Sequence, residues 1–158
     1  MKKGVILVLS FMIFAACQPE KQQDVLDIAG VWKLVELSNY DEEGKVSQPY
    51  GNPPLGYFIY TPGGHMSIQI MKNPPHPRLT ERPSDSIVAQ IARGSITYFG
   101  TYSVDKERSV VIHEVEGALN PNYVNTDRER QYSISGDSLI INIESEGSRY
   151  KRVLLKVE

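Results

Sequence analysis

Leu55–Met71 reads LGYFIYT-PGG-HMSIQIM, and this stretch decides the fold. Leu55–Thr61 is apolar and aromatic, which suits an extended strand. Pro62-Gly63-Gly64 is a tight turn, because proline presets one backbone angle and glycine accepts the conformations that other residues avoid. His65–Met71 then returns, with Met66, Ile68 and Ile70 alternating with His65, Ser67 and Gln69. A period of two puts the apolar set on one face and the polar set on the other, so the segment is a hairpin with one wet side.

The same pattern extends outward. Ile28–Leu37 is predicted as the first strand, with Asn39–Lys45 as a charged turn after it. The stretch around Val46–Tyr50 is expected as a short further strand. Ser84 is placed to cap a short helix running to about Arg93, with Gly94 ending it. Ile96–Val104, Ser109–Glu116, Asp127–Ser133, Leu139–Glu144 and Arg149–Val157 are strands, with Gly117–Thr126 a loop and Ser135-Gly136-Asp137 a hairpin turn. Nine of the ten prolines fall between residues 19 and 83, so the second half can hold long unbroken strands. Short sequential connections favour an antiparallel up-and-down meander. Closing one removes its exposed edges, so the fold expected is all-β, a barrel of about eight strands with one short inserted helix.

The N-terminus carries a different signal. Lys2-Lys3 precedes an apolar run from Gly4 to Ala16, too short to span a bilayer, which needs about 20 residues. It fits a secretory h-region. Phe14-Ala15-Ala16-Cys17 resembles a bacterial lipobox, with Phe14 where Leu is usual. That resemblance implies residues 1–16 as a removed signal, lipid on Cys17, and 17–27 as a polar tether. Because Gln18 is not Asp, it further implies an outer-membrane address in the cell envelope. Cys17 is the single cysteine, so the chain has no internal disulfide. Loss of Lys2 and Lys3 takes the 17 basic residues to 15 against 19 acidic ones, which argues against a nucleic-acid partner.

Within the barrel, residues 28–158, the strand faces nominate a site. Tyr98, Gly100 and Tyr102 share one face of their strand, and Val111, His113 and Val115 one face of the next. Glu114 and Glu116 share the opposite face and are the costlier to bury, so they are set outside and His113 inside. Arg130, Tyr132 and Ile134 line up on the following strand. With Tyr60, the residues Tyr98, Tyr102, His113, Arg130 and Tyr132 form the candidate ligand-binding set. Gly100 leaves room for a ligand or for a neighbour's bulky side chain. A polar handful among Ile, Val and Met suits a small hydrophobic or amphipathic ligand. The blander reading of His113 is a core histidine bonded to a tyrosine hydroxyl. Trp32 is expected to plug the barrel floor, with Arg149 or Arg152 stacked on it.

Gly30-Val31-Trp32 is similar to the Gly-X-Trp of lipocalins. Gly56–Ser67, Tyr98–Asp105, His113–Asn122 and Ser135–Leu139, in that order and spacing, resemble the bacterial and fungal lipocalin-like domain family. The resemblance implies an antiparallel barrel with a central cavity, and no established reaction. The chain departs from true lipocalins in having no disulfide and no obvious C-terminal helix.

Other chemistry lacks its motifs. His65, His76 and His113 show no metal-ligand spacing. There is no G-x-S-x-G, and Gly63-Gly64 lies in a hairpin rather than before a helix. No cofactor is expected. The leading expectation is a monomeric, envelope-anchored binding barrel. Its alternatives are a cyclase or isomerase using His113 as the acid–base group, and an interaction module with a filled interior whose loops Pro74–Pro83 and Gly117–Thr126 meet another protein.

Overall fold

The computed structural model describes residues 27–158. The signal segment, Cys17 and all but the last residue of the tether lie outside the described residues. Nine antiparallel strands run β1 (Gly30–Tyr40), β2 (Val46–Ser47), β3 (Leu55–Tyr60), β4 (His65–Met71), β5 (Ser95–Asp105), β6 (Val110–Ala118), β7 (Thr126–Ser135), β8 (Ser138–Ser145) and β9 (Ser148–Lys156). Helix α1 (Asp85–Arg93) follows β4. Each strand from β3 onward pairs with the next, and β9 pairs back onto β1, closing an eight-stranded up-and-down barrel without β2.

The stretch around Val46–Tyr50 is therefore not a stave. Only Val46 and Ser47 pair, with Tyr40 and Asn39, and both are exposed. The predicted turn at Asn39–Lys45 starts later than expected. Asn39 and Tyr40 stay in β1 because β9 supplies partners for them, Tyr150 and Arg149, and the Arg149 guanidinium lies 4.3 Å from the centre of the Tyr40 ring. The β3–β4 hairpin and the helix follow the sequence reading. The Ser84 side chain accepts from the Ile87 amide, and Gly94 caps the other end. β6 absorbs Gly117 and Ala118, and the expected loop contains a single 3-10 turn, Pro121–Tyr123.

Alternation, shifted by one residue in β1 at a bulge between Leu34 and Glu36, places Leu34, Leu37, Phe58, Met66, Ile68, Ile70, Val111, Val115, Leu139, Ile141 and Leu154 inside as one cluster. Ile28 and Trp32 close one end, with the Trp32 Nε1–H donating to the Ile28 carbonyl at 2.9 Å. The cation near Trp32 is Lys156, 5.4 Å from the ring centre, and neither Arg149 nor Arg152 stacks there. Register explains this: Trp32 pairs with Lys156 at the end of β9, whereas Arg149 and Arg152 lie further back, beside Tyr40 and Leu37. The opposite end carries α1, the 3-10 turn and the loop holding Tyr50.

Gly100 is not empty space. β6 bulges where Gly100 pairs with Val115 after Phe99 pairs with Gly117. A Cβ on Gly100 would meet the Glu114 carbonyl oxygen at 2.0 Å, so backbone from the bulge fills the gap that a ligand or a bulky side chain was expected to take.

Candidate functional site

His113 is fully buried at mid-barrel between two phenols. The Tyr60 hydroxyl lies 2.9 Å from Nε2 and the Tyr98 hydroxyl 3.0 Å from Nδ1. A neutral imidazole has one N–H and one lone pair, so one nitrogen donates to one phenol and the other accepts from the second. Burial first, then the nearby Arg130 guanidinium, pushes the His113 pKa down to about 3. Burial likewise raises the Tyr60 and Tyr98 hydroxyls above their ordinary value. All three side chains are uncharged at neutral pH.

A recess of about 50 Å³ opens beside this trio, between His113 and the barrel end that carries the 3-10 turn. Its polar lining is Tyr98, His113, Arg130, Arg152 and Tyr123. Phe58, Ile70, Ile96, Ile141 and Ile143 form the apolar wall. That volume suits one or two waters or a single small functional group. The buried apolar side chains of the barrel pack against one another as one cluster. Pockets that enclose whole ligands run to about 300–1,000 Å³, so the hollow is much smaller than a complete lipid requires.

The sequence-nominated residues separate on this geometry. Tyr98, His113 and Arg130 line the recess. Tyr60 stands behind His113. Tyr102 faces the closed end, where its hydroxyl donates to the Thr61 carbonyl at 2.9 Å and its ring meets Tyr60 edge-on, centroids 4.9 Å apart. Tyr132 is half-buried against the core and outside the lining. Ile134, on the same strand face, is exposed.

Arg152 and Tyr123 were not nominated. Arg152 is 8 % exposed, and burial, aided by repulsion from Arg130, lowers its pKa to about 10, so it stays a cation. It could have been found from the inward alternation of β9, which it shares with Leu154. Tyr123 sits in a loop, where no periodicity marks it. Its ring packs edge-on to Tyr98 at 5.9 Å, and the Arg128 guanidinium lies 3.9 Å from its centre.

A larger groove, about 750 Å³, lies outside the barrel between α1 and the proline loop, lined by Met71, Pro74, His76, Leu79 and Ile91 among others. It is open to solvent, and none of its lining residues is buried. The His76 ring turns back to the Pro77 carbonyl. The convergent buried polar groups are in the recess.

The architecture is that of a closed, eight-stranded antiparallel β-barrel of the binding type, with a small polar recess beside His113. The family of lipocalin-like domains matches residues 29–155, and the chain belongs to that family. No curated protein matches the chain. Among solved structures it is similar to a redesigned β-barrel, at 16% identity and TM-score 0.41, covering 85% of this chain and 96% of that one.

Proposed function

We propose that this protein is a lipid-anchored envelope protein whose barrel binds a small amphipathic molecule, seating the polar end in the recess. One observation carries the reading: polar side chains from β5, β6, β7 and β9, those of Tyr98, His113 and Arg152 buried and that of Arg130 half-buried, converge on a recess with an apolar wall. A polar group fixing orientation against apolar surroundings is how small-molecule sites are built. The size of the recess limits the interior share of the ligand to a head group, and any tail runs toward Tyr50 and Tyr123 at the barrel mouth. The anchor rests on Cys17 behind its apolar run. Several acyl chains on one residue give firm attachment where one does not.

The cyclase or isomerase alternative is disfavoured by the state of His113. Both ring nitrogens are engaged, and the ring stays neutral far below the pH range where an acid–base catalyst is useful.

The test is native mass spectrometry of the Cys17→Ser chain purified from its host, beside melting curves with a lipid panel. A co-purifying small molecule and a ligand-induced rise in Tm support the reading. Bare protein whose melting no lipid changes rejects it.

A further inference from the structure

β7 reads Thr126-Asp127-Arg128-Glu129-Arg130, and its alternation sorts the charges by sign. Asp127 and Glu129 are exposed. Arg128 and Arg130 are half-buried on the inward side. Glu129 is held outside by Arg108, whose two terminal nitrogens donate to its two oxygens at 3.2 and 2.6 Å. Arg152 enters from β9 to the same recess as Arg130.

Among the described residues, no ion pair involves Arg128, Arg130 or Arg152. Arg130 and Arg152 each donate to the neighbouring backbone carbonyl, of Glu129 and Lys151 respectively. The Arg128 Nε is buried without a hydrogen-bond partner. The other titratable recess groups with resolved states, His113 and Tyr98, are neutral, and no carboxylate lines it. Two guanidinium groups thus share a space of about 50 Å³ with no counter-charge. Buried cations are costly unless paired, and the planar guanidinium fork matches the two oxygens of a carboxylate or phosphate.

We infer that the recess is an oxyanion site: Arg130 and Arg152 receive the carboxylate or phosphate head of the ligand, with the Tyr98 hydroxyl as a third polar contact. This rests on the small-molecule reading above and narrows it to anionic amphiphiles. The size fits, since a recess that holds one or two waters holds one such head group. Tyr123, with Arg128 over its ring, closes the lining where the rest of the ligand would leave.

The experiment compares four eight-carbon probes by calorimetric titration of the purified chain: octanoate, octyl phosphate, octanol and octylamine. Inorganic phosphate is the tail-less control. The inference expects an anionic probe to bind at least tenfold tighter than octanol and octylamine. Octanoate against octyl phosphate then tells a carboxylate from a phosphate head, and tight binding of inorganic phosphate alone would move the ligand from amphiphile to free anion. Arg130→Gln and Arg152→Gln should each weaken the anion at least tenfold. The ligand-free Arg152→Gln chain should melt no lower than wild type, since it loses a buried unpaired charge. Octanol binding as tightly as octanoate overturns the oxyanion site and leaves the small-molecule reading standing. No binding by any probe overturns both. A marked fall in the ligand-free melting temperature of Arg152→Gln assigns that cation to stability and overturns its role as a ligand contact.

Discussion

The Tyr98 hydroxyl lies 3.0 Å from Nδ1 of His113, joining β5 to β6 across the inner wall of the barrel. Both groups are buried, and the Arg130 side chain lies close enough to act on the same Tyr98 hydroxyl. The polar centre of the barrel is therefore one connected network, and changes to any member reach the others.

Removing one phenol strands a nitrogen. Tyr98→Phe or Tyr60→Phe leaves one side of the His113 ring buried and unpaired, which costs about 1–3 kcal/mol. Urea midpoints measure the loss. The double variant should deviate from the sum of the two singles, because both act on the same ring. Strict additivity would show that the network is not coupled.

His113 makes stability depend on pH with a definite sign. Its folded pKa, about 3, lies below its ordinary value of 6.5, so between those values the unfolded chain binds the extra proton. Its contribution is complete above about pH 6.5 and is lost as pH falls toward 3. At about pH 5 the loss is about 2 kcal/mol. Urea unfolding at about pH 7.5 and pH 5 should show that drop in wild type and a smaller one in His113→Gln. An equal drop in both would place the acid sensitivity elsewhere.

Gly100→Ala tests the bulge. The added methyl would meet the Glu114 carbonyl at 2.0 Å, and backbone cannot yield as a side-chain tip can. A loss of about 1–3 kcal/mol is expected, the usual range for overpacking. Thermal melting reads it, and wild-type stability would mean that the site is open.

Trp32, the single tryptophan, reports on the closed end. Its emission should be that of a buried indole, shielded from iodide and red-shifted on unfolding. A ligand in the recess should leave it unchanged, since Trp32 is not part of the lining. Strong quenching by iodide in the native state would contradict the closed floor.

Much of this architecture is written in alternation. The β3–β4 hairpin, the helix between Ser84 and Gly94, and the inward placement of Tyr98 and His113 follow from period, caps and the cost of burying Glu114 and Glu116. The failures have physical causes. The bulge beside Gly100 depends on how two strands meet, which neither strand encodes by itself. Val110, which strict alternation puts on the same face as Glu114, is nevertheless buried where it pairs with Asp105 and Gln131. Arg152 was assigned to Trp32 because register between the first and last strands closes the barrel and has no local signal. Tyr50 and Tyr123 reach the core from loops, where period says nothing. Arg128 was legible: it stands two residues before Arg130 on the same face.

The most direct test of the central claim is a titration of the nitrogen-15-labelled protein with octanoate, followed by NMR. A head group seated in the recess should shift the His113 ring nitrogens and the Arg130 and Arg152 Nε–H groups, with the Trp32 indole N–H unmoved. Shifts confined to the outer groove around His76 and Ile91, or no shifts at all, would contradict it.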